Sequence, residues 1–61
     1  MDIKSLVGKT YTEAQDLVQR AGLTIRVTSK DGQKFMVTMD HHTNRVNVDV
    51  VDDIVTSARL G

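Results

Sequence analysis

Apolar residues recur along this chain with two periods, and the switch between them separates its elements. Tyr11, Ala14, Leu17, Val18 and Ala21 follow helical spacing and give residues 11–21 one apolar stripe. Glu13, Gln15, Asp16, Gln19 and Arg20 take the wet side. Thr10, with Glu13 three positions later, forms a capping box in which hydroxyl and carboxylate satisfy free backbone N–H groups. Gly22 is the residue expected just past the helix end. The period then drops to two. Leu23, Ile25 and Val27 alternate with Thr24, Arg26 and Thr28, the pattern of a half-buried strand over residues 23–29. Lys30-Asp31-Gly32-Gln33 is turn chemistry that ends it. Val46, Val48 and Val50 alternate with Arg45, Asn47 and Asp49 in a second strand through Val51, and Asp52-Asp53 turns the chain into a third strand from Ile54 to Leu60. Ahead of the helix, residues 2–8 form a short lead-in whose Ile3, Leu6 and Val7 are expected to tuck against the core.

One stretch obeys neither period. Phe35-Met36-Val37-Thr38-Met39-Asp40-His41-His42-Thr43-Asn44-Arg45 has no helical spacing and no tight-turn signal. A small domain seldom keeps a long irregular connection unless the loop itself does something, which makes this segment a candidate binding loop. The first two strands lie about fifteen residues apart, far more than a hairpin needs and enough for a crossover between parallel strands. The expected fold is α+β: a single domain over residues 1–61, with one helix on a small mixed sheet. Two parallel strands plus an antiparallel strand make the sheet, and a long exposed loop makes the crossing.

Composition narrows the function. Eight basic and eight acidic residues cancel, which speaks against nucleic acid or an anionic membrane as partner, since both favour a basic surplus. One tyrosine and one phenylalanine provide no stacking platform for bases. The absence of cysteine rules out disulfides and thiolate metal sites. His41 and His42 are adjacent, and on an extended chain they point to opposite sides, so a shared metal is not expected. Asp49, Asp52 and Asp53 lack calcium-loop spacing and read as a solvated strand edge and turn. With no glycine-rich phosphate loop, cysteine nucleophile or paired-carboxylate cleft, neither an enzyme nor a cofactor is expected. A chain that starts at Met1 and has no apolar run of membrane length or signal-peptide character reads as a complete cytoplasmic protein, more readily a monomer than an oligomer.

Leu6-Val7-Gly8-Lys9-Thr10, Glu13-Ala14, Val37-Thr38-Met39-Asp40, Arg45-Val46-Asn47-Val48 and Gly61 together resemble the potato inhibitor I (eglin-type) serine protease inhibitors, and most of all their small bacterial and fungal relatives. The resemblance runs in order along nearly the whole chain and implies the same α/β arrangement. It implies a reactive loop of Val37, Thr38, Met39, Asp40, His41 and His42 presented like a substrate, with Met39 in the primary specificity pocket and Met39–Asp40 as the scissile bond. It also implies loop support from Arg45, at the first of two bracing arginines, and from Gly61 near the family's terminal carboxylate. Asn47 stands where plant members carry the second arginine. His41-His42 replaces an aromatic or aliphatic residue and an arginine, no tryptophan or proline precedes Leu6, and the segment before Val37 is longer than in plant members. Met39, unbranched and polarizable, suits an apolar pocket of subtilisin, chymotrypsin or elastase type. The expected partner is therefore a serine protease. Two other readings stand beside it: a non-inhibitory protein-binding module with this fold, such as a small intracellular or viral regulator, and a PASTA-like domain, which residues 7–23 also resemble.

Overall fold

The structure is a computed structural model that describes residues 2–35 and 40–61. A 3-10 helical turn, Ile3–Leu6, leads into the α-helix α1 (Tyr11–Arg20). Four strands follow: β1 (Thr24–Lys30), β2 (Gln33–Lys34), β3 (Arg45–Val51) and β4 (Ile54–Leu60). They form one sheet in the order β2-β1-β3-β4, with β1 parallel to β3 and the other two pairings antiparallel. The α+β class, the single helix and the mixed sheet are as expected. The third and fourth strands have the expected bounds.

Both ends of α1 are set locally. The Thr10 side chain accepts from the Glu13 N–H at 3.2 Å and points its hydroxyl at the Glu13 carboxylate, 3.3 Å away. At the other end, Leu23 N–H donates to Val18 O and Gly22 N–H to Gln19 O, both at 3.0 Å. Those two bonds are a Schellman motif, which requires the left-handed φ of +78° found at Gly22. The helix also joins the sheet edge: Tyr11 N–H donates to Asp53 O and Val55 N–H to Lys9 O.

Leu6, Ala14, Val18, Val46, Val48, Val50 and Val55 form the buried core, lined by Ile3, Tyr11, Leu23, Ile25, Val27 and Ala58. The valines of β3 thus face α1, as their alternation predicts. Four positions depart from expectation. Val7 is half exposed, because a turn of three residues aligns Ile3 with Leu6 and rotates Val7 away. Leu17 and Ala21 are exposed as well, so the buried helix stripe is narrower than the sequence pattern. Leu17 lies one residue, about 100°, around the helix from Val18, and a helix over so few strands buries only the centre of its stripe. Thr28, expected on the polar face, is buried at an irregularity in the β1–β3 register between Val27 and Ser29.

The turn at 30–33 does more than end β1. Asp31 and Gly32 both have positive φ (52° and 82°), as a type I′ hairpin turn requires, and the chain doubles back as the two-residue β2. Asp52 and Asp53 (50° and 66°) make the matching turn between β3 and β4. The turns are tied together, Asp31 Oδ1 accepting from Asp52 N–H at 2.8 Å.

β2 and β3 flank β1 on opposite sides, so the connection 35–44 passes across β1. Lys34 pairs with Ser29 and Arg45 with Thr24, which places the ends of the connection roughly 17 Å apart along the strand direction, at about 3.3 Å per residue. Ten extended residues reach roughly 33–36 Å, about twice that distance. The crossover therefore has length in excess of what joining the strands requires. No helix occurs among its described residues.

Candidate functional site

Val37, Thr38 and Met39, the first half of the candidate reactive loop, lie outside the described residues, as does Met36. What the structure places is the second half of the loop and the floor beneath it.

The loop re-enters the sheet at Asn44, whose carbonyl accepts from Thr24 N–H at 2.9 Å and from the Thr24 hydroxyl at 3.3 Å. Asp40, His41 and His42 are exposed. Arg45, the first residue of β3, reaches back toward them with its side chain only 14% exposed. Its Nη2 donates to the Asp40 main-chain oxygen at 2.9 Å, and its Nη1 lies 3.5 Å from the Asp40 carboxylate. Its Nε donates to the main-chain oxygen of Gly61 at 3.1 Å. One guanidinium thus holds the loop with its outer edge and the end of β4 with its inner edge, which the fixed fork of an arginine permits and a lysine does not. The Gly61 N–H returns a bond to Arg45 O at 3.0 Å.

Asn47 lies next along this face and is buried, 6% exposed. Its Nδ2 donates to the same Gly61 oxygen at 3.2 Å, while its Oδ1 accepts from Arg26 Nε at 2.9 Å. A Cβ at Gly61 would stand 3.1 Å from Asn47 Nδ2 and 3.8 Å from His41 Nδ1, so the backbone approaches both side chains closely. His41 therefore faces the Gly61 end, whereas His42 Nε2 lies 2.5 Å from the Asp40 carboxylate. The two imidazoles diverge, as adjacent residues on an extended chain do. Among the described residues, no three of His, Asp and Glu gather as a metal site would need.

Arg45 and Asn47, two of the expected supports, converge on the oxygen of the third, Gly61, with Asp40 bound to Arg45. Two members of this face go beyond what the sequence pattern indicates. For Arg26 the alternation gives only the outward side of its strand. Asp49, by its spacing a solvated edge residue, is instead a hub: its carboxylate accepts from Thr28 Oγ1 at 2.7 Å, Ser29 Oγ at 2.8 Å and Ser57 Oγ at 2.6 Å, with Arg59 Nη1 3.6 Å away. Hydrogen bonds from Ser57, Thr28 and Ser29, aided by the Arg59 charge, outweigh partial burial and lower its pKa from 3.8 to about 2. Strand parity offered the signal. Arg26, Asn47 and Arg59 are outward positions on three neighbouring strands, as are Asp49 and Ser57 one step along.

Phe35 continues the β1–β2 ladder through its N–H to Thr28 O at 3.0 Å and is 43% exposed. The ring borders a shallow depression of about 250 Å³ with Tyr11, Val27, Lys30, Val50 and Asp53. Among the described residues, no helix is long and apolar enough to cross a membrane. Compared with known proteins, the chain matches no protein-family model and no curated protein sequence.

Proposed function

We propose that this protein is a serine protease inhibitor of the potato inhibitor I kind, presenting residues 37–42 to a protease as a substrate, with Met39–Asp40 as the scissile bond. The observation that carries the reading is the bond from Arg45 to the Asp40 carbonyl, with the same guanidinium anchored on Gly61. A loop ordered before binding avoids most of the entropy that a protease must otherwise remove from a flexible peptide. Anchoring the residue after the scissile bond also retains the new amino terminus near the acyl group once the bond is attacked, so religation competes with release. The surplus length of the crossover lets the loop stand away from the sheet and enter a cleft. Met39 fills an apolar primary pocket, and the protein acts as a monomeric ligand of the enzyme with no cofactor. A support built from hydrogen bonds instead of disulfides works unchanged under reducing conditions, which agrees with a cytoplasmic location.

The test is titration of subtilisin and chymotrypsin with the wild type and with Met39→Asp. Submicromolar inhibition by the wild type is expected. A carboxylate at position 39 enters an apolar pocket unpaired, at a penalty of several kcal/mol, so inhibition should weaken by at least about a hundredfold. If the folded wild type neither inhibits nor is cut after Met39, the reading fails for these enzymes.

A further inference from the structure

We infer that Arg26 is a positioning residue for the loop, acting through Asn47 and Gly61 on Arg45; its use in inhibition rests on the function proposed above. The contacts form a continuous line across three strands: Arg26 Nε to Asn47 Oδ1, Asn47 Nδ2 to Gly61 O, Arg45 Nε to the same oxygen, and Arg45 Nη2 to Asp40 O. Each link has one chemically allowed direction. A guanidinium only donates and a carbonyl only accepts, so an amide placed between them must turn its oxygen to Arg26 and its nitrogen to Gly61. Without the donor from Arg26, the Asn47 oxygen is left unpaired and the amide is held at one end only, by the Gly61 oxygen. A displaced or flipped amide withdraws its N–H from the Gly61 oxygen that also seats Arg45. Because Asn47 is buried, water cannot readily replace the lost donor.

Resemblance to the inhibitor family leads one to expect a guanidinium at position 47. In this fold it comes from the neighbouring strand, at the position paired with Asn47 in the parallel register, and the amide relays it. Arg26 and Asn47 together cover the reach of one long side chain on β3. An Arg26 that served only as surface charge would have no need of an in-line bond to a buried amide.

Side-chain geometry supplies a clean test. Gln carries its Nε2 on Cδ, the same carbon that carries Nε in Arg, so Arg26→Gln keeps a donor at that point without the charge. Arg26→Met keeps length and apolar packing but has no donor. The full chain, labelled with 15N, is compared in all three forms by hydrogen exchange of the Asn47 side-chain amide and the 41–44 backbone amides, by thermal unfolding, and by subtilisin inhibition. In Arg26→Met, exchange at Asn47 Nδ2 should accelerate and inhibition weaken, each about tenfold, the size expected for losing one hydrogen bond from a charged donor. The melting temperature of Arg26→Met should fall by about 4–8 °C, because the buried Asn47 oxygen is left unpaired, and Arg26→Gln should stay within about threefold of the wild type. Unchanged exchange at Asn47 in Arg26→Met overturns the inference, as does Arg26→Gln behaving like Arg26→Met. Should the exchange respond as expected while the wild type fails to inhibit any protease, the positioning role stands and the inhibitor reading falls. An inhibiting wild type whose Arg26→Met form is unaltered in both readouts leaves the inhibitor reading and removes Arg26 from it.

Discussion

Replacing Arg45 by alanine removes two main-chain contacts that hold different things. The bond from Nη2 to Asp40 O at 2.9 Å holds the loop, whereas the bond from Nε to Gly61 O at 3.1 Å holds the end of β4. The Gly61 oxygen keeps a donor from Asn47 Nδ2, and the Gly61 N–H keeps its bond to Arg45 O, so the loss there is partial. The Asp40 carbonyl loses its arginine altogether. A hydrogen bond from a charged donor contributes about 1.5–3 kcal/mol. The ion pair with the half-exposed Asp40 carboxylate, at 3.5 Å, adds under about 1 kcal/mol. Because an exposed loop carries the larger contact, most of the loss falls on loop order and little on global unfolding. We expect the inhibition constant to rise about thirtyfold, equivalent to about 2 kcal/mol, with faster cleavage after Met39. The melting temperature should fall by no more than about 4–8 °C, which corresponds to about 1 kcal/mol in a domain of this size. Inhibition kinetics, cleavage monitored by mass spectrometry and thermal unfolding on the same samples separate the two effects. Arg45→Lys should fall between, since one ammonium cannot reach both oxygens in the arginine's geometry. The reasoning is refuted if Arg45→Ala inhibits like the wild type, or if its lost inhibition is fully explained by lost global stability.

Asp49 makes stability pH-dependent at the acid end. Its folded pKa of about 2 lies below the ordinary 3.8, so its contribution is complete above about pH 4 and disappears as pH falls toward 2. With a third of the side chain exposed, that contribution is at most about 2 kcal/mol, and Asp49→Asn should flatten the difference in stability measured by urea unfolding between pH 5 and 2. Asp53 occupies the second centre of a type I′ turn at φ 66°, where glycine is preferred; Asp53→Gly should stabilise the fold by about 1 kcal/mol in the same assay, with its main-chain bond from Tyr11 intact.

Local pattern sufficed for the helix, its caps and the three long strands, because each rests on residues close in sequence. The two-residue β2 left no periodic trace; only Asp31-Gly32 hinted at it, and the same pair reads as a simple stop. Leu17 satisfies the apolar spacing but falls outside the narrow face that so small a sheet can cover, and the 3-10 turn rotates Val7 outward. Arg45 as a loop support was legible because the family resemblance names that position and Asp40 lies only five residues away. Arg26 and Asp49 were not, since their partners arrive from other strands: Asn47 is 21 positions from Arg26, and the hydroxyls around Asp49 come from both β1 and β4. Register, which sequence pattern fixes only through the buried face, decides which polar residues meet on the open one.

The most direct test of substrate-like inhibition is the hydrolysis equilibrium at Met39–Asp40. Wild-type protein, and protein already cut at that bond, are each incubated with a catalytic amount of subtilisin until composition stops changing. The account predicts that both samples converge on the same mixture, containing substantial amounts of intact and cut chains, because the braced loop holds the new ends together for religation. Complete conversion of the intact protein to fragments, with no intact chain regained from the cut form, would contradict it.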